Sequence, residues 1–185
     1  ILDSNRDRVM IRYTLLEAHS PTTIRIHPFL AFRGYHQLQK ANDRINKAYE
    51  VVANGVKFQL YPNYDPLYMQ LSKEATFHSQ PDWYHNLEYI QERERGYDYQ
   101  EDLFVPGYLE FEISKGESVI FSAGLTDADP ETRANAFSKE IARRIPRNNF
   151  ENCLKNSAGQ FIRQRDGEVR IIAGYPWFGW WGRDT

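Results

Sequence analysis

Tyr108-Leu109-Glu110-Phe111-Glu112-Ile113 alternates, without a break, residues that tolerate water with residues that need burial. Successive side chains of a strand point to opposite faces, so this run predicts a strand with one wet face and one buried face. Lys115-Gly116 supplies a turn, and Ser118 to Ala123 reads as the next strand. Similar segments recur upstream at Val9 to Leu15, Leu67 to Leu71 and Ala75 to Ser79. Thr22 to Phe32 has a half-buried pattern interrupted by Pro28, which lacks an N–H and favours an edge or a bulge. Ala48 to Ala53 and Val56 to Tyr61 flank Asn54-Gly55, a dipeptide that takes up the positive φ of a hairpin turn. About nine short strands with turn signals between them predict a mainly β fold, an antiparallel two-sheet β-sandwich.

The pattern changes after residue 125. Asp129-Pro130-Glu131 has the N-cap residue, the first-turn proline and the acid that open a helix. Ala134, Phe137, Ile141 and Ile145 continue at helical spacing, with Arg143-Arg144 before Pro146. Phe150 to Phe161 reads as a second helix, with Phe150, Leu154, Ala158 and Phe161 on one face. Asp166-Gly167 is a turn, and Val169 to Ala173 a strand. The expected organisation is a β-domain over 1–125, a helical linker over 126–168, and the start of a further domain over 169–185.

Composition narrows the function. The 185 residues are 41% hydrophobic, 26% charged and 15% aromatic, with 12 Tyr and 11 Phe. A net charge of −2 provides no basic field for nucleic acid. No apolar run approaches the roughly 18 residues of a membrane span. Cys153 is the lone cysteine, which rules out an internal disulfide and agrees with a reducing, cytoplasmic setting. The chain opens at Ile1 without an initiator methionine, so a fragment or trimmed form is expected.

Chemistry-bearing residues concentrate in Tyr175-Pro176-Trp177-Phe178-Gly179-Trp180-Trp181-Gly182-Arg183-Asp184-Thr185, which holds three of the four tryptophans. Indole faces stack on the C–H face of a pyranose, and an Arg-Asp pair offers donors and acceptors to its hydroxyls. Gly174 to Thr185 resembles the signature that opens the catalytic domain of bacterial and archaeal-type glycogen debranching enzymes, the amylo-α-1,6-glucosidase family. Upstream segments resemble the same family's N-terminal domain. These are Arg25-Ile26, Pro28-Phe29-Leu30-Ala31-Phe32-Arg33, His36, Glu92 to Leu103, and Pro106-Gly107.

The resemblance implies an N-terminal β-sandwich of the super-sandwich type, a helical linker, and the opening of an α/α toroid that holds the active site. It implies α-glucan (glycogen or branched maltodextrin) as substrate and the toroid as intramolecular partner. It implies no cofactor. Arg183 and Asp184 would hold the terminal glucosyl unit, and Trp177 or Trp181 would shape its subsite wall. The general acid and base would lie downstream of Thr185, so the chain alone is expected to be inactive. Hydrolysis of α-1,6 branch points is the implied reaction, and an accompanying 4-α-glucanotransferase activity stays open. Asp184 itself is not read as the acid, because an arginine neighbour lowers a carboxyl pKa.

Other candidates have plainer readings. The acid-rich run from Glu88 to Asp102 reads plainly as a solvated charged loop, or, as part of the family-like segment, as a long loop that folds over the sandwich or faces the toroid, with Arg93 and Arg95 paired to nearby acids. Glu94, Gly96, Asp98 and Asp102 miss the spacing of a calcium loop. Trp83-Tyr84-His85 and Tyr61 to Asp65 read first as packing and second as an exposed glucan platform. His27, His36, His78 and His85 make no spaced metal-ligand set. Three readings therefore compete: part of a debranching enzyme or another glucoamylase-like glucosidase, a stand-alone glucan-binding module, and a structural domain. A bare apolar face on the isolated chain would favour pairing with a second copy.

Overall fold

Leu109, Phe111 and Ile113 are buried and Glu112 is exposed, so the alternation at 108–113 does set the two faces of its strand. The computed structural model describes residues 1–3, 6–34, 37–165 and 167–171. It divides into two compact units, Ile1–Phe137 and Ser138–Thr185.

The first unit holds two antiparallel sheets. In one, β1 (Arg8–Thr14), β8 (Ser118–Gly124), β5 (Leu67–Leu71), β4 (Gly55–Phe58) and β3 (Tyr49–Val52) lie in that order. In the other, β7 (Gln100–Ile113) runs between β2 (Thr22–Ile26) and β6 (Thr76–Glu88). Val56, Phe58, Met69 and Leu71 from the first sheet share one core cluster with Phe104, Leu109 and Phe111 from the second. Each such side chain removed from water contributes about 1.5–3 kcal/mol before entropy is counted.

Three segments differ from the sequence expectation. The strand expected over 22–32 stops at Ile26, before Pro28, and pairing resumes only as an isolated bridge between Leu30 and Phe104. The β3–β4 turn is made by Ala53 and Asn54, because Val52 pairs with Gly55. Asn54 takes the positive φ of 54°, while Gly55 already belongs to β4. Glycine is needed there for space: a Cβ would collide with the Met69 carbonyl oxygen across the ladder.

The largest difference lies at 80–107. β6 was expected to end at Ser79 and the next strand to begin at Tyr108, but both run much further, and their far ends are joined by the short helix α1 (Ile90–Glu94). Pro81 is accommodated because β6 is an edge strand and its register shifts between Ser79 and Asp82. Opposite this bulge, Gly107 adopts φ 140°, and a Cβ there would meet the His78 carbonyl.

Helix α2 (Pro130–Arg143) opens at the expected proline and starts in the first unit. Its Phe137 packs with Met10 and Ile120, under the Arg12 guanidinium at 5.2 Å from the ring centre. Arg133 is fully buried and donates to the carbonyls of Leu71 and Ala128, which fastens α2 to the end of β5. Burial pushes its pKa down to about 10, so it is charged at neutral pH.

In the second unit, α3 (Phe150–Gly159) is capped by Asn149, whose side chain accepts from the Asn152 N–H at 2.8 Å. β9 (Ile162–Arg165) and β10 (Glu168–Ile171) form a hairpin with Gly167 at φ 83°. Phe150 and Leu154, the face expected from periodicity, are 79% and 54% exposed.

Candidate functional site

Trp177, Trp181, Arg183 and Asp184 lie outside the described residues, as do Tyr35, His36, Asp166 and the strand end at Ile172-Ala173. The polar site that is described lies where β7 begins.

Glu101, at the second residue of β7, has no solvent exposure. Arg33 grips its carboxylate with two parallel bonds, Nε to Oε1 at 2.6 Å and Nη2 to Oε2 at 3.0 Å. The Tyr89 hydroxyl donates to Oε2 at 2.5 Å, and the Gln39 N–H donates to Oε1 at 3.1 Å. Burial by itself raises the Glu101 carboxyl, but these donors together outweigh it and hold the group below the usual glutamate range. The same bonds push Arg33 and Tyr89 up.

Asp102, on the opposite face of the strand, is 6% exposed and serves as a second anchor. Its Oδ2 accepts from the Ala41 N–H at 2.9 Å, and its Oδ1 from the Asn86 N–H at 2.8 Å. His85 Nδ1 lies 3.4 Å from Oδ2 and Lys40 Nζ 3.9 Å from Oδ1. Burial raises this carboxyl as well, but the two N–H donors, with His85 and Lys40, bring it below the ordinary aspartate value. Asn86 reaches its position through a positive φ of 57°.

The acid-rich run is therefore not one solvated loop. Its rim is exposed, with Arg93 paired to Glu88 and Arg95 to Glu92, each at 3.2 Å. Its last two acids are buried clamps that fasten residues 39–41 to the start of β7. The available signal was the apolar run Leu103-Phe104-Val105 directly after them, which continues a strand rather than a loop. A carboxylate held by three donors and kept ionised is poorly suited to proton transfer near neutral pH, so Glu101 works as a clamp.

Beside the clamp is an open cleft of about 400 Å³ lined by Leu38, Lys40, Tyr97, Asp98, Tyr99 and Gln100. A second hollow of about 320 Å³ sits at the β6 bulge, lined by His27, Gln80, Pro81, Asp82, Tyr84 and Val105. Trp83 is not a platform: it packs on the core against Phe104, ring centres 5.4 Å apart. Tyr61 also packs against the core, and its hydroxyl accepts from Gln39 Nε2 at 3.0 Å. Across the outer face of the three-stranded sheet, Tyr108 stacks between His27 and His78, with centroids 5.0 and 4.7 Å away. Among the described residues, no group of three or more His, Cys, Asp or Glu is placed to hold a metal ion.

These features define a β-rich domain of two sheets over one core, with a buried ion-pair clamp and an open polar-aromatic cleft. The family model described as glycogen debranching enzyme N terminal matches residues 1–120, and the chain belongs to that family. The domain is thus one found in glycogen debranching enzymes, which are glycoside hydrolases. Neither a curated protein nor a solved structure matches the chain.

Proposed function

We propose that this chain is the front portion of an enzyme that hydrolyses α-1,6-glucosidic branch points of glycogen in the cytoplasm. The family match over residues 1–120 carries the reading. The aromatic stretch Gly174 to Thr185, with its Arg-Asp pair, supports it. In this reading residues 1–125 are a β-sandwich of the super-sandwich type, 126–168 a helical linker, and 169–185 the opening of an α/α toroid. The exposed Phe150 and Leu154 on α3 support a linker that meets more protein. Without that protein, the same residues favour pairing of the isolated chain.

The domain's task is to scaffold the toroid and wall the substrate cleft. Arg183 and Asp184 bind hydroxyls of the glucosyl unit beside the scissile bond, and Trp177 and Trp181 pack against its ring. Hydrolysis itself needs two further carboxylates, an acid for the leaving oxygen and a base for water, and this reading places both on the toroid. The test is glucose release from a singly branched maltodextrin. The 185-residue chain should release none, and the natural full-length protein should release glucose. Asp184→Asn or Arg183→Ala in the full-length protein should cut kcat/KM by about 100-fold through lost positioning. Full activity in both variants would remove these residues from the sugar site.

A further inference from the structure

The cleft beside the Glu101 clamp has the chemistry of a site for a neutral polyhydroxylated chain. Tyr97 is 60% exposed, and the Arg95 guanidinium lies 5.3 Å from its ring centre. Arg93 sits in the same way 5.7 Å from the Tyr99 ring. A guanidinium thus lies against each ring, and both tyrosines line the cleft as aromatic walls. The polar lining alternates in kind: the Lys40 ammonium donates, the Asp98 carboxylate accepts, and the Gln100 amide does both. Gln100 Nε2 already donates to Glu88 Oε1 at 3.1 Å, which leaves its carbonyl oxygen for a ligand. Asp98 is exposed and makes no hydrogen bond or ion pair with the described residues. Neighbouring hydroxyls of a hexose, each donor and acceptor, suit such a set.

Charge argues in the same direction. Lys40 stands 3.9 Å from the Asp102 carboxylate, Arg93 and Arg95 are paired to Glu88 and Glu92, and Asp98 is the one anion of the lining, so no cluster of like charge selects a phosphate or a basic peptide. Leu38 is the single aliphatic lining residue, too little for a lipid or a hydrophobic peptide.

The cleft is also pre-built. Gln39, between the lining residues Leu38 and Lys40, is bonded through its N–H to Glu101 at 3.1 Å. Its carbonyl accepts from the Asp102 N–H at 2.8 Å. The two walls are therefore tied together directly behind the lining, and a ligand would meet little ordering cost. We propose that this cleft, lined by residues of the first unit, is an accessory α-glucan-binding site that holds a stretch of glucan chain on the N-terminal domain. The choice of α-glucan rests on the reading of the whole protein as a debranching enzyme.

The test is titration of the ¹⁵N-labelled 185-residue chain with maltoheptaose, and with cellohexaose as the β-linked control. Saturable amide shifts at residues 38–40 and 97–100 with maltoheptaose alone are expected. Tyr97→Ala and Tyr99→Ala should each weaken binding at least about 10-fold, as loss of a stacking ring does at other sites. Tyr84→Ala at the second hollow and Trp181→Ala in the tail should leave binding unchanged. If a tyrosine variant fails to fold, Asp98→Asn decides: about 5-fold weaker binding at an unchanged melting temperature supports the site, and full affinity overturns it. Shifts that map to Tyr84 or to the tail, an equal response to cellohexaose, or no saturable shift also overturn it. A silent cleft in a protein whose full-length form debranches glycogen would sink this site and leave the function standing. Binding here beside a full-length protein inert on branched glucan would do the reverse.

Discussion

Glu101 keeps its charge at zero exposure because Arg33, Tyr89 and Gln39 surround it with donors. Removing one partner of a buried ion pair costs about 3–5 kcal/mol, since the other charge is left in a poor solvent. The Arg33 side chain retains 22% exposure, which places Arg33→Ala near the lower end, about 3 kcal/mol by urea unfolding at pH 7. Arg33→Lys should lose part of this, because an ammonium cannot form the two-pronged contact. The loss in Arg33→Ala should shrink at pH 4, where an unpartnered Glu101 takes up a proton. A loss below about 1 kcal/mol at pH 7 would show that the clamp is not a stabilising feature.

Gly55 and Gly107 show what an element requires beyond its own residues. The Asn54-Gly55 signal did mark a hairpin, but the positive φ went to Asn54, and Gly55 serves the neighbouring strand β5. Gly55→Ala should therefore destabilise the chain by about 3 kcal/mol or more, by forcing β4 away from Met69, with the loss read from a thermal or urea transition. An alanine variant as stable as the parent would mean that β4 and β5 can separate at this point without cost. The two long strands β6 and β7 were missed for a related reason. Pro81 and the charges between Glu88 and Asp102 break local strand patterns, while a bulge opposite Gly107 and two buried carboxylates make the strands tolerable.

For the molecule as a whole, pH stability follows from its low carboxyl pKa values. Glu101 and Asp102 lie below their ordinary values, as does Glu117, which Lys73 and the Ser114 N–H hold ionised. A carboxyl whose folded pKa is depressed stabilises fully above its unfolded value, about 4, and loses that contribution as pH falls through the folded value. Urea midpoints should stay level from pH 7 to about 5 and fall steadily below about 4. A midpoint unchanged between pH 6 and pH 3 would contradict the network. The helices also show where legibility ends at this scale: caps and periodicity located α2 and α3, yet Phe150 and Leu154 on the expected apolar face are largely exposed.

The sequence by itself determined the strand-rich character, the two faces of residues 108–113, the start of α2 and the family, because alternation, turn residues and motif spacing are local properties of the chain. Only the tertiary structure decided that Glu101 and Asp102 are buried, that Trp83 packs inward, and that Tyr97 and Tyr99 share a cleft with Lys40. The burial of Glu101 depends on partners more than 60 positions away, Arg33 and Gln39, and a charged residue reads as solvated until its distant counter-charge is in place.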